Sequence, residues 1–545
     1  QTATSGNLGT VVEQQVIEAL PIVGGRGRNP LELVTAMPGV VSGANTGGGV
    51  HVFGARDRSW NYTLDGIDTN ETSAGGANFS PLRANPDSLA EFKVLTGNQT
   101  AEYGRNSGAQ VAMVTRSGTN QFKGTGFYFR RDPKLNANEW EINAQNPTRE
   151  GADAAKDKLY QDIGGFSLGG PILRNKTFFF GNLQVLRADR TREVSRLVYT
   201  ESARNGIWRY VSGGRNQPFG VAGAPIDQNG NVLPGVAIGS YNIAANDPAR
   251  IGLNPQIAAA IRATPLPNDF RQGDGLNIAG YRFVAGEQEE QFDAVIRVDH
   301  VLNARHYTFA RVAWGEQNSI CDRANGGEVR FPGTGCVVNT YRNPVNWAAS
   351  WRWNLGSSMV NEFVTGGNAF AFDFVIPTAD ASVADWSFAD VTMPVTTSFG
   401  NKRDLRTLQF VNNLSWVTGA HSFKFGTNIR LQRHQDVRGS VSGGNVTPLV
   451  DFSTTINTVD PATFGIPGDI NTTFDRPALQ RSINFLLGRV GSITQGFVSR
   501  GNAYAPGGTL FDFTANYPEL DFFAQDSWRL RSNLTIDLGL RWEIK

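Results

Sequence analysis

No stretch of this sequence is apolar for anything near the ~18 residues that a membrane-spanning helix requires. That excludes a helical membrane protein but not one built from strands, which need only about 9–11 residues with every second one apolar. An excess of one charge is also missing. Lys and Arg total 50 against 49 Asp and Glu, for a net charge of +1, so nothing suggests a nucleic-acid partner or a polybasic membrane anchor. His51, His300, His306, His421 and His434 are scattered and lack a metal-binding spacing such as H-E-x-x-H. No metal and no cofactor is expected. Cysteine is nearly absent. Cys321 and Cys336 flank a short Gly/Pro-containing stretch and in an oxidising compartment would close a small loop; the alternative is two unrelated thiols. No leader peptide opens the chain, and it stops at Lys545 just after an alternating strand with no closing element, so it reads as a fragment.

Glycine is abundant at 62 residues, and aromatics reach 10%, a mixture that favours strands and turns over helices. Two regions differ in pattern. Residues 1 to about 120 mix short signals: a helix over Pro30–Met37 stopped by Pro38-Gly39, strands at Val50–Phe53, Trp60–Leu64, Leu89–Leu95 and Gln110–Thr115, and a tight turn at Asp65-Gly66. These describe a compact α+β domain. From about Gln121 the strands are long and alternate. In the last, Leu534, Ile536, Leu538, Leu540 and Trp542 take one face while Thr535, Asp537, Gly539 and Arg541 take the other. One face of such a strand meets something apolar and the other meets water.

Connection lengths separate a barrel from a sandwich. Eleven strands are predicted at 121–131, 160–169, 176–188, 290–300, 305–315, 344–355, 359–372, 405–417, 421–433, 518–529 and 533–543. Short links alternate strictly with long ones at about 132–159, 189–289, 316–343, 373–404 and 434–517. Short turns at one end and long loops at the other mark a bacterial outer-membrane barrel. The apolar run Ile483–Leu487 would break that alternation as a wall strand, so it is placed as a helix or packing element inside the last loop. The predicted fold is mainly β, an antiparallel transmembrane barrel with an α+β plug in front. Barrels of about 22 strands hold a plug, and eleven is half of that.

The stretch "SLAEFKVLTGNQTAEYGRNSGAQVAMVTRSGTN" over 88–120, with "NYTLDGIDTN" before it and the hairpin "FFAQDSWRLRSNLTIDLGLRWE" over 522–543, resembles the TonB-dependent receptor family. "ALPIVGGRGRNPLELVTAMPGV" is similar to its Oar-like subgroup. The carboxypeptidase-regulatory-like domain usual in that subgroup and a TonB box are not found in the sequence. The resemblance implies a receptor in the bacterial outer membrane, with its long loops outside and its plug reached from the periplasm. It would import a ligand with energy transmitted by TonB. The implied partners are TonB, through an upstream segment, the surrounding outer-membrane lipid and lipopolysaccharide, and a small-molecule, glycan or peptide ligand. A structural, adhesion or export role on the same fold is the alternative, and no enzymatic activity is expected.

A plug must seal and still move, which suits polar contacts. Arg56, Arg58, Glu102, Arg105 and Arg116 in the plug, and Asp293, Arg297, Arg352 and Arg430 on the wet strand faces, are candidates to pair across the boundary; separate solvation is the alternative. Asn45, Asn70, Phe79 and Arg83 at the plug apex are candidate ligand contacts. Trp208, Tyr210, Tyr241 and Trp386 in the loops either stack on a ligand or pack the loops. Gly165-Phe166-Ser167-Leu168-Gly169 matches a nucleophile elbow but sits in a strand with no helix after it. Asp65, Asp68 and Asn70 lack the spacing and final Glu of a calcium loop and read as a turn.

Overall fold

The structure is a computed structural model describing residues 8–13, 28, 34, 38–42, 50–56, 59–70, 82, 84–97, 99–145, 156–388, 390–441 and 444–545. The first domain contains β1 (Leu8–Glu13), β2 (Val40–Ser42), β3 (Val50–Val52), β4 (Asn61–Leu64), β5 (Ile67–Asp68), β6 (Leu89–Gly97) and β7 (Gln110–Thr115). Five of them form a sheet in the order β1-β6-β7-β4-β5, in which β4 and β7 run parallel, while β2 and β3 make a separate ribbon. Trp60, Tyr62, Leu64, Phe92 and Val94 point from this sheet into a closed core. β1 was not predicted. It is a short edge strand paired only with β6, and its six residues are too few for alternation to stand out. Apart from Val34, the predicted helix Pro30–Met37 lies outside the described residues.

Eleven strands then form one antiparallel sheet in chain order: β8 (Lys123–Arg131), β9 (Lys158–Leu173), β10 (Thr177–Tyr199), β11 (Ile278–Asn303), β12 (His306–Ile320), β13 (Asn339–Asn354), β14 (Met359–Val375), β15 (Asn401–Thr418), β16 (His421–Arg438), β17 (Phe511–Arg531) and β18 (Leu534–Ile544). The first domain lies against one face, where Val295 and Ala313 of the wall join its core. The other face carries the greasy rows. Ile296 is 53% exposed, Leu540 75% and Trp542 64%, a bare apolar belt that makes sense only against lipid. At the short-turn end His306, Trp351 and Trp353 stack in one group, and His421, Phe423 and Trp528 in another. These are the amphipathic rings expected at a membrane interface.

At the long-loop end the strands outrun their predicted limits. β10 continues from 188 to Tyr199, β11 begins at Ile278 instead of 290, and β17 begins at Phe511 instead of 518. Beyond the lipid the outer face no longer has to be apolar, so the alternation fades while the backbone ladder continues. The loops above do not hang separately. Helix α1 (Pro255–Arg262), capped by the Asn254 side chain, and helix α2 (Asp475–Leu487), closed by Gly488 at φ +71°, pack with residues from three loops. Their shared core includes Trp208, Tyr241, Ile257, Met393, Phe452 and Phe485. Trp208, Tyr210 and Tyr241 are buried in this core and Trp386 packs at its edge, so these aromatics hold the loops together. The apolar run at Ile483–Leu487 is the end of α2.

Cys321 and Cys336 form a disulfide across a sequence separation of 15 residues, worth roughly 3 kcal/mol in the chain-entropy view. Reduction is therefore expected to open residues 322–335 to protease while the wall stays protected, which peptide mapping after brief digestion will show. The cap also responds to acid. Burial, with the neighbouring Asp274 charge, raises the Asp475 carboxyl from 3.8 to about 6, against a hydrogen bond from the Asn216 N–H. The folded cap thus holds that proton more tightly than the unfolded chain. The contribution is whole below 3.8 and is lost as pH rises through about 6. The cap should melt at a higher temperature at pH 5 than at pH 7, and Asp475→Asn should flatten that difference.

Candidate functional site

The contact between plug and wall is built around a two-residue turn. Asp65 (φ +50°) and Gly66 (φ +84°) both adopt positive φ, the requirement of the tight turn that matches strand twist. The turn carries the β4–β5 hairpin against the inner wall, where Ile67 packs on Ala348 and Val364. Asp65 is clamped from both sides. One carboxylate oxygen lies 3.1 Å from Arg297 Nη1 and the other 3.0 Å from Arg311 Nε. The same carboxylate accepts from the Thr115 N–H at 2.9 Å and the Thr115 hydroxyl at 2.8 Å. Arg311 is fully buried and also donates to the Leu64 carbonyl at 2.9 Å and the Asn346 carbonyl at 3.0 Å. Arg297 lies 4.0 Å over the Phe309 ring and pairs with Asp299. Asp299 in turn accepts from the Ser117 hydroxyl at 2.8 Å.

Three residues on, Asp68 begins a second cluster. It pairs with Arg105 of the plug and lies 3.8 Å from Arg430 of the wall. Its N–H donates to Gln409 Oε1 at 2.8 Å, and its carbonyl accepts from Asn346 at 3.3 Å. Arg105 reaches Glu519 at 3.4 Å, and its N–H donates to Glu543 at 2.6 Å. Burial opposes the Arg105 charge, but Asp68, Glu519 and Asp521 outweigh it and leave its pKa raised. Arg430 pairs with Glu519 at 2.7 Å and Asp521 at 3.3 Å. Arg541 joins Asp521 and Glu543 and donates to the Ala101 and Glu102 carbonyls. A Cβ at Gly104 would collide with Arg541 and Glu543, so glycine lets the plug backbone approach there. Lys424 closes the rim on Glu102 at 2.8 Å.

Two further arginines tie the plug to the first wall strands. Arg28 pairs with Asp87 and lies 4.7 Å over Phe127 of β8. Arg116 donates to the Asp87 carbonyl at 3.3 Å and lies 5.6 Å over Phe180 of β10. A cavity of about 230 Å³ with a mixed lining, Glu102, Asn428 and Arg430 beside Met113, Val411 and Phe523, remains between plug and wall. Buried charges of this kind are held only while every partner is in place. Such a seam can be tight when docked, and water can solvate both sides when it parts.

An eleven-stranded wall with a folded plug on its inner face matches two sequence families in tandem. The "TonB-dependent Receptor Plug Domain" matches residues 8–111, and the "Outer membrane beta barrel domain" matches 114–545. The chain belongs to the TonB-dependent receptors of the outer membrane. Over 202 residues the receptor is 31% identical to the TonB-dependent transporter Oar of Myxococcus xanthus, covering 35% of this chain and 18% of Oar. Among solved structures, the outer membrane transporter YddB of Escherichia coli gives a TM-score of 0.54 at 11% identity, over 98% of this chain and 56% of that one. A mutant of the ferric enterobactin receptor PfeA of Pseudomonas aeruginosa gives 0.52 at 11%, over 99% and 58%. The siderophore receptor PirA of Acinetobacter baumannii gives 0.51 at 12%, over 100% and 57%. These likenesses are of fold alone. The receptor chain spans under three-fifths of the length of the solved proteins it resembles.

The candidate residues fall in several places. Arg105, Arg297 and Arg430 meet in the two clusters, with Glu102 and Arg116 at their edges. Arg352 does not take the place expected for it. It lies near the short-turn end, half exposed, and pairs with Glu362 of the neighbouring strand. Asp293 is buried on the wall and accepts from Gln291, and Arg56 is exposed. Asn70 is also placed differently. It is buried, accepts from the Tyr62 N–H at 3.1 Å and donates to Asn61 at 2.5 Å, so its amide braces the plug hairpin instead of facing a ligand. Asn45, Arg58, Phe79 and Arg83 lie outside the described residues. Sequence reasoning missed Asp65, Asp68, Arg311, Glu519, Asp521 and Arg541. A charge on the wet phase of a strand was the available signal for the four wall residues. Asp65 and Asp68 were read only as turn residues.

Proposed function

We propose that the receptor is part of a transporter that takes a ligand from the cell surface and imports it, driven by TonB through a segment upstream of the plug. The observation that carries this reading is the seam itself. A plug meant only to fill the barrel would be held best by apolar packing, whereas this one is anchored through Asp65, Asp68 and Arg105 to wall charges. Those contacts exchange for water when they part, as a gate requires, and beside them lie the apolar contacts of Ile67 with Ala348 and Val364 and of the plug core with Val295 and Ala313. Ligand contacts are assigned to the plug apex at Asn45, Phe79 and Arg83 and to the cap above. The ligand class is a small molecule, glycan or peptide. The test uses the full-length receptor in its own bacterium. Loss of the receptor and loss of TonB should each abolish uptake of the same compound in a screen of labelled siderophores, oligosaccharides and peptides. Uptake that survives without TonB would overturn the proposal.

A further inference from the structure

The loop between β12 and β13 reaches sideways across the inner face of the wall to β10. Its neck is held firmly. The Cys321–Cys336 disulfide closes it. The Asp322 N–H donates to the Val338 carbonyl and the Gly327 N–H to the Asp322 carbonyl, and a Cβ on Gly327 would collide with that neck. Farther out, Phe331 is buried beside Tyr281 of β11. Glu328 is thereby delivered to β10. Its carboxylate accepts from Arg192 Nε at 2.6 Å and lies 3.4 Å from Arg196 Nη2, with Arg323 of its own loop 4.0 Å away. Arg192 and Arg196 share the phase of Leu186 and Ala188, which are buried on the inner face. Arg192 stands twelve residues nearer the long loops than Phe180, the ring that Arg116 of the plug covers. The pairing therefore lies in the lumen, on the outer side of the plug.

One carboxylate shared by three arginines leaves donors to spare. Arg190 has the same phase as Arg192. Its Nη1 is 3.9 Å from Glu287 and its Nη2 4.0 Å from Glu289, too far for hydrogen bonds. Its Nε and Nη2 are buried without an acceptor. Glu287 is engaged by the loop and accepts from the Arg323 N–H at 3.3 Å. Between loop and wall lies a cavity of about 230 Å³. Lys158, Arg190, Arg192 and Arg323 line it, together with Asp157, Glu287 and Glu328. Withdrawing Glu328 would leave four cations there against two carboxylates. Guanidinium donors without acceptors in a partly enclosed site carry a desolvation cost, and an anion with forked oxygens relieves it.

We infer that Glu328 stands in for the anionic group of a ligand, a carboxylate or a phosphate, which enters this cavity, takes Arg190 and Arg192, and releases the disulfide-closed loop. That the anion belongs to an imported compound rests on the transport reading. That an anion binds here does not. The test uses full-length receptor in a maltoside detergent, with citrate and pyrophosphate as probes and chloride at matched ionic strength as the control. At least one probe should bind by calorimetry and speed hydrogen exchange across 322–335, and chloride should do neither. The probe that acts tells carboxylate from phosphate. Glu328→Gln should exchange fast with no probe present and bind the probe at least about tenfold tighter, because the latched state no longer competes. Arg190→Gln should keep the loop slow, since Glu328 is held by Arg192 and Arg196, yet lose the response to the probe. Arg190→Lys should recover part of that response and controls for folding. Failure of both anions to bind, or binding by Glu328→Gln no tighter than by wild type, would overturn the inference. Neither result would touch the transport reading, which the uptake assay decides separately.

Discussion

Asp65→Ala is expected to release the plug from the wall more than any other single change in the seam. The substitution removes the counter-charge of the fully buried Arg311, one of the two carboxylates paired with Arg297, and the acceptor of Thr115. Breaking a buried pair by deleting one partner costs about 3–5 kcal/mol, because the charge left behind has lost its water and gained nothing. Here Arg311 is stranded by the deletion, while Arg297 keeps only Asp299 as its counter-charge. The barrel belt does not use Asp65, so the wall should still insert and run as a folded barrel. In the full-length receptor, the plug should become sensitive to protease added from the periplasmic side, and cells should admit large hydrophilic antibiotics that wild type excludes. Asp65→Glu keeps the charge but lengthens the arm, and should fall between the two. An unchanged plug in Asp65→Ala would mean that the apolar contacts of Ile67 with Ala348 and Val364 are sufficient alone.

Phe485→Ala should dismantle the cap and leave everything below it intact. Phe485 is completely buried near the end of α2, stacked 4.0 Å from Phe388 and edge-on to Phe452 at 5.1 Å. Truncating a buried phenylalanine costs about 3–5 kcal/mol through lost transfer energy and the cavity left behind. The cap draws its residues from three loops, and this ring bridges two of them to the helix. The expected outcome is rapid surface proteolysis across 200–277 and 439–510, with the heat-modifiable migration of the barrel preserved. Hydrogen exchange on the intact receptor should show fast amides confined to the cap. Slow amides throughout the cap would show that Leu479 and Ile483, also completely buried, carry its stability between them.

The wall was legible because lipid enforces a rule. A strand that meets hydrocarbon on one side tends to alternate, and the clearest strands do so where the belt touches them, from Ile296 and Val298 to Leu540 and Trp542. Above the belt that pressure stops, and the upper parts of β10, β11 and β17 were invisible for that reason. The seam was half legible. Arg297 and Arg430 stood out as charges facing a lumen that had to hold something. Arg311 had the same phase on a strand of the same kind, yet its importance comes from Asp65, which is distant in sequence and reads locally as an ordinary turn residue. Arg352 shows the converse. Its phase is right, but phase does not report height, and it lies near the short-turn end beside Glu362. Asn70 shows that a residue next to a loop can be spent on its own hairpin.

The communal core above the barrel limits how the receptor's outer surface can change. Loops of a barrel are ordinarily exchangeable parts, each free to drift under pressure from phage, antibodies or a new nutrient. Here Trp208, Met393 and Phe452 come from three different loops and share one interior. Transplanting any one of these loops into another receptor would carry a fraction of a core and unfold. Moving the three together should carry a working surface, and natural variants should be inherited as a block.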